Sequence, residues 1–235
     1  MKTVLVYIYF AFNMIVTIFF KIKLNYLRKH KTKEETEKYI HKIVINWANN
    51  LLKVVGVTIK AEGLENIPEE ACCFVGNHQG NFDILAIIAA IDKPIGFIAK
   101  KELKKLKIVS GWMKEIKCVF IDRSDIRESL KAINEGAENL KNGHSMVIFP
   151  EGTRSRERQM GEFKKGSLKM ALKAKAPIVP VTIDGSYKIF EKNNGRFRKG
   201  DIKLIVGKPI YINNMTREEQ KKLSKLVKNE IEKNL

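Results

Sequence analysis

Two short strings about seventy residues apart carry the residue types that do chemistry in this chain: Asn77-His78-Gln79-Gly80-Asn81-Phe82-Asp83 and Phe149-Pro150-Glu151-Gly152-Thr153-Arg154-Ser155. In the first, a histidine stands five residues before a carboxylate. Asp83 at that spacing can bond one ring nitrogen of His78 and leave the other to accept a proton. The second string is a glycine-containing turn ending in arginine. Backbone N–H groups in such a turn form an anion-binding concavity, and the planar guanidinium of Arg154 matches a phosphate. A base beside an anion clamp implies acyl transfer onto the hydroxyl of a phosphorylated alcohol.

A third string, Lys117-Cys118-Val119-Phe120-Ile121-Asp122-Arg123, places cations at both ends of a strand-like run. Arg123 and Arg154 are read as holding a phosphomonoester by charge-assisted bonds while the substrate hydroxyl reaches His78. Glu151, in a turn rich in backbone donors, is read as tying loop amides or a substrate hydroxyl, and Gly152 as allowing close backbone approach. No Gly-x-Ser-x-Gly elbow supplies a protein nucleophile, since Gly143-His144-Ser145-Met146-Val147 ends in valine. A lipid hydrolase is therefore disfavoured, and the substrate's own hydroxyl takes the place of a serine. Gly161 to Ser167 resembles a phosphate-binding loop only superficially, because Gly166 is followed by Ser167 where that motif requires lysine. Nucleoside triphosphate use is not supported.

The elements that must position these residues follow from periodicity. From Val57 onward, short β-rich runs alternate with helical stretches: 57–61, 71–76, 95–99, 118–121, 145–149, 178–183 and 202–206. This alternation predicts an α/β fold with a largely parallel central sheet and flanking helices. A helix with Ile126, Leu130, Ile133, Ala137 and Leu140 on one face, stopped by Gly143, links two of the strands. In open sheets, sites collect at the carboxyl ends of strands. His78, Arg123 and Glu151 to Arg154 each follow such an end. A last helix starts near Thr216, capped with Glu219.

Thr3 to Phe20 is an apolar run broken only by Asn13 and Thr17. As a helix it extends about 27 Å, enough to cross a hydrocarbon core. Lys21, Lys23, Arg28, Lys29, Lys31 and Lys33 follow it, against Lys2 alone before it. If the helix spans, that asymmetry leaves the rest of the chain in the cytoplasm, and if it dips into one leaflet, the cations meet acidic headgroups. Either way the expectation is a membrane-associated protein on the cytoplasmic face of the cell membrane. Thr32 with Glu35 has capping-box spacing and opens an amphipathic helix from Tyr39 to Val55, ended by Gly56. Two parts are therefore expected: membrane-associating helices over 1–56 and an α/β domain over 57–235. The formal charge of +18, from 44 Lys+Arg against 26 Asp+Glu, calls for an anionic partner. The chain lacks an RNA-binding aromatic motif, so an anionic membrane surface is expected and nucleic acid is not. Cys72, Cys73 and Cys118 show neither disulfide nor metal-ligand spacing and are read as structural.

On Asn77-His78-x4-Asp83, Lys117-x-x-Phe120-Ile121-x-Arg123, Phe149-Pro150-Glu151-Gly152-Thr153-Arg154-Ser155 and Ile178-Val179-Pro180-Val181, the chain resembles the glycerolipid acyltransferases, among them the 1-acyl-sn-glycerol-3-phosphate acyltransferases. The resemblance spans at least Gly63 to Gly185, without departure in the catalytic strings. It implies transfer of a fatty acyl group from acyl carrier protein or coenzyme A to the 2-hydroxyl of lysophosphatidate, giving phosphatidate. No cofactor or metal is implied beyond the acyl thioester co-substrate. It assigns His78 and Asp83 to catalysis, and Lys117, Arg123, Glu151, Gly152, Thr153 and Arg154 to the acceptor. The strand Ile178 to Val181 would line the acyl site. Relatives acylating glycerol 3-phosphate or other lysolipids share two of the strings, so these acceptors stay open. So does a non-catalytic basic protein that binds acidic membranes by charge alone.

Overall fold

The computed structural model describes residues 2–164, 166–213 and 215–235. Helix α1 (Lys2–His30) continues ten residues past the apolar run, through the basic segment, giving a rod of about 43 Å. Helix α2 (Lys33–Val55) folds back along it from Thr32, whose side chain and that of Glu35 form the expected capping box. Only Val6, Thr17 and Leu24 of α1 are buried, and 11% of its apolar window is covered by protein. It is not a core helix. Its outer stripe exposes Ile8, Phe12, Ile15, Phe19, Ile22 and Tyr26 at helical spacing.

Among the described residues, seven strands form one sheet in the order β1-β7-β6-β2-β5-β3-β4. They are β1 (Val57–Glu62), β2 (Cys73–Gly76), β3 (Ile95–Lys100), β4 (Val119–Ile121), β5 (Ser145–Ile148), β6 (Ile178–Asp184) and β7 (Gly200–Val206). The second strand begins at Cys73, two residues later than the sequence pattern places it. The five strands β6, β2, β5, β3 and β4 run parallel, while β7 pairs antiparallel to β6 and parallel to β1. The sheet is thus largely parallel, with one reversed pair of strands.

Both faces of the sheet are covered, which is why its parallel strands are almost uninterruptedly apolar. On one face, α3 (Phe82–Ala90) and α2 enclose Cys72, Phe74, Phe97, Val147, Val179 and Val181. On the other, α5 (Ile126–Lys141), α6 (Lys169–Ala174) and α7 (Arg217–Glu232) cover Cys73, Val75, Ile98, Met146 and Ile148. Cys72, just before β2, and Cys73, its first residue, point to opposite cores. Helix α4 (Lys107–Glu115) returns the chain from β3 to β4, and Met113 and Ile116 pack into the first core. Helix α7 begins at Thr216 with a capping box to Glu219.

The strand Ile178 to Val181 corrects one expectation. Ile178, Val179 and Val181 are fully buried, split between the two cores, so they do not line an open acyl site. A strand paired on both sides and covered on both faces has no side chain free for a ligand.

Candidate active site

Strand β2 lies between β5 and β6; β2 leads into α3 on one face of the sheet and its neighbour β5 into α6 on the other, the point where an open α/β sheet forms a crevice. The loop after β2 carries His78. Its Nδ1 lies 2.7 Å from Oδ2 of Asp83, which opens α3 and is wholly buried. The same Oδ2 accepts the N–H groups of Gln79 at 2.7 Å and Gly80 at 2.9 Å, while Oδ1 accepts the Ser186 hydroxyl. A carboxylate deprived of water but given four donors is fixed in place, and it fixes the ring. Phe149 stacks on the imidazole at 4.2 Å and an interplanar angle of 14°, closing one face. Among the described residues the imidazole Nε2 has no hydrogen-bond partner, and the side chain keeps 17% exposure. The ring is fixed in orientation and still reaches the surface.

The loop after β5 is sewn to the loop after β2. Ser155 N–H donates to the His78 carbonyl at 2.8 Å and Arg156 N–H to that of Gln79 at 3.2 Å. Glu151, 4% exposed, accepts His78 N–H at 2.6 Å and Gly161 N–H at 2.8 Å on its two oxygens. Burial raises the pKa of its carboxyl, opposed by these two backbone bonds. Of the two readings offered for Glu151, the structure supports tying loop amides.

Arg154 donates to Asn81 Oδ1 at 2.6 Å and pairs with Glu191 at 3.2 Å. Glu191, 4% exposed in its side chain, also accepts Asn81 N–H at 2.8 Å, and its second oxygen is buried without a hydrogen-bond partner among the described residues. That oxygen lies against Gly80, where a Cβ would come within 2.5 Å. Arg123 donates to the Gly152 carbonyl and so joins the same loop at the rim, and Thr153 is exposed on the turn. His78, Asp83, Glu151, Gly152 and Arg154 are brought together, with Arg123 and Thr153 at the margin.

Lys117 is not. It precedes β4 whereas Arg123 follows it, so a parallel strand carries the two to opposite edges of the sheet, about 20 Å apart at 3.3 Å per residue. Lys117 lines a cavity of about 480 Å³ with His41, His144, Arg28 and Pro94, at the amino-terminal ends of the strands. Sequence reasoning also missed Ser186, Asn81 and Glu191. Ser186 follows β6 at the same sheet edge as His78, and the rule that sites gather after carboxyl strand ends would have found it.

The segment bearing Glu191 also touches α1. Phe197 N–H donates to Thr3 Oγ1 at 3.2 Å, and the Phe197 ring meets Tyr7 at 5.3 Å, Phe190 at 4.8 Å and Phe82 at 6.0 Å. The amino-terminal turn of α1 is therefore one aromatic cluster away from the His78–Asp83 loop.

The family model described as Acyltransferase matches residues 58–184, more than half of the chain and the stretch that holds both loops. The chain belongs to the acyltransferase family. It is 39% identical over 68% of its length to the probable 1-acyl-sn-glycerol-3-phosphate acyltransferase of Mycoplasma pneumoniae, with the match spanning 62% of that protein. It is 32% identical over 78% of its length to the 1-acyl-sn-glycerol-3-phosphate acyltransferase of Borreliella burgdorferi, covering 74% of it. The crystal structure of PlsC, the 1-acyl-sn-glycerophosphate acyltransferase of Thermotoga maritima, superposes with a TM-score of 0.83 at 29% identity, covering 99% of this chain and 95% of that one. The match thus spans about three-fifths of the length of the Mycoplasma relative and nearly all of the Thermotoga structure.

Proposed function

We propose that this acyltransferase moves a fatty acyl group from an acyl thioester to the 2-hydroxyl of 1-acyl-sn-glycerol 3-phosphate, producing phosphatidate. The observation that carries the reading is the 2.7 Å bond from a buried carboxylate to His78 Nδ1, which leaves Nε2 as the proton acceptor. The names of the relatives supply the acceptor class. In the proposed step, Nε2 takes the hydroxyl proton as the alcohol oxygen attacks the thioester carbonyl carbon. The tetrahedral intermediate then expels the thiolate, which takes the proton from the imidazolium, regenerating the base. Asp83 holds the tautomer and stabilises the cation in between. Arg154 and Arg123 hold the acceptor phosphate, with Thr153 and the Gly152 turn beside it, and Glu151 keeps the two loops in register. The donor is acyl carrier protein or coenzyme A, and no cofactor enters the step.

The division of labour places membrane association in residues 1–56 and chemistry in 57–235, with the domain at the cytoplasmic face against an anionic lipid surface. The apolar length of α1, its exposed outer stripe and the basic residues after it support this arrangement. The test is an assay of lipid-reconstituted protein offered lysophosphatidate, other lysolipids and glycerol 3-phosphate, each with acyl carrier protein and coenzyme A thioesters. Phosphatidate formation that disappears in His78→Ala is expected. Preference for another acceptor moves the substrate, and full activity in His78→Ala rejects the mechanism.

A further inference from the structure

Between β3 and α4 the chain reads Lys-Glu-Leu-Lys-Lys-Leu-Lys-Ile over residues 101–108, and all eight are exposed. The segment leaves the carboxyl end of β3, so it lies at the sheet edge that carries His78, and Lys101 pairs with Asp122, the neighbour of Arg123. Leu103 is 36% exposed, Leu106 54% and Ile108 38%. Large aliphatic side chains grouped on a water-facing surface mark a contact site. Lysines surround them. Lys100 pairs with Glu102 and Lys104 lies over the Phe120 ring at 5.4 Å, while Lys105 and Lys107 have no carboxylate partner among the described residues.

Two observations identify what covers this patch. The first is charge: five lysines in 100–107 against the single Glu102 favour an anionic surface. The second is continuity with α1. Lys21 donates to the Gly111 carbonyl at 3.3 Å, lies 5.3 Å from the Trp112 ring and pairs with Glu115, which Arg28 also engages. The apolar stripe of α1 and the 103–108 patch are thereby fastened to one another through α4. Aliphatic residues with lysines beside them fit an interfacial contact, with the side chains among the headgroups and the ammonium groups at phosphate level.

We propose that residues 101–108 are a second bilayer contact, in which Leu103, Leu106 and Ile108 enter the interface of an acidic membrane and turn the His78 edge of the sheet toward it. The proposal rests on the membrane association of α1 proposed above.

Position can be read without reading activity. The natural cysteines Cys72, Cys73 and Cys118 are buried, so a cysteine introduced on the surface of the full chain takes an environment-sensitive fluorophore selectively. Leu106→Cys, Phe12→Cys on α1 and Leu226→Cys on α7 are labelled and mixed with phosphatidylcholine–phosphatidylglycerol vesicles whose acyl chains carry bromine. Quenching is expected at 12 and 106 and not at 226, which lies on the helix covering the other face. A label at 106 that stays as unquenched as that at 226, while 12 is quenched, overturns the proposal. An unquenched label at 12 overturns the α1 reading and the proposal with it. A label at 106 that responds to an acidic acyl carrier protein and not to vesicles assigns the patch to protein docking and also overturns it.

The combined variant Lys104→Glu, Lys105→Glu, Lys107→Glu supplies a second readout. It is expected to lower turnover of vesicle-borne acceptor about tenfold or more, while turnover of acceptor in neutral detergent micelles is unchanged. An equal fall in both overturns the proposal, because it places the lysines in the site or the fold.

Discussion

Asp83 illustrates how a charge is made useful by being buried. With no solvent exposure, it has two backbone amides, one hydroxyl and one imidazole as its partners. Asp83→Asn can keep its oxygen toward the loop amides and its NH₂ toward Ser186, so the fold should survive. The imidazolium loses its counter-charge, and kcat is expected to fall about 10²- to 10⁴-fold with an unchanged circular dichroism spectrum. Arg154 and Glu191 lead to predictions of opposite sign. Arg154→Ala removes a charge-assisted donor and is expected to raise acceptor KM about tenfold or more. Glu191→Gln lifts the charge that competes with phosphate for Arg154, whose own side chain is one-third exposed, and should lower KM by about threefold. Steady-state kinetics on the two variants checks both. That His78, Asp83, Glu151 and Arg154 meet was legible in the sequence because each lies in a short string that follows a predicted strand end. Glu191 was not, since nothing in the residues around it marks a carboxylate that the fold will bury against an arginine some forty positions earlier.

At the scale of elements, the loops after β2, β5 and β6 form one unit, and Gly185 is a hinge pin of it. Its φ of +98° lies in the left-handed region, a Cβ would meet the Asp201 carbonyl at 2.7 Å, and its N–H donates to Gln79 Oε1 at 3.0 Å. Gly185→Ala is expected to lower the melting temperature by about 5 °C and to disturb the Ser186–Asp83 contact next to it. Differential scanning calorimetry reads the first effect. Elements with local punctuation were legible: both capping boxes, the end of α2 at Gly56 and all seven strands were found from pattern. Lys117 was misplaced because nearness along a strand says nothing about which edge each end reaches. Ile178 to Val181 was misplaced because an apolar strand reads alike whether it lines a cavity or fills a core.

For the whole molecule, the cores are dry enough to silence their thiols. Burial raises the Cys72 thiol to about 11 and that of Cys118 to about 12, and it raises Cys73 as well. A pKa raised in the fold keeps the thiol neutral at pH 8, so native protein should resist maleimide. Unfolding in guanidinium lowers those values toward that of free cysteine and should expose three reactive thiols, counted by mass spectrometry.

The sheet stops cleanly on both sides. Strand β4 is three residues long, and β1 carries outward charges whose bridges, Lys60–Asp201 and Lys203–Glu62, fasten it to β7. Such borders discourage the addition of further strands from other molecules. When the protein is taken out of lipid, its clumping should therefore come from greasy rods rubbing together, which detergent reverses, and not from fibrils that detergent leaves intact.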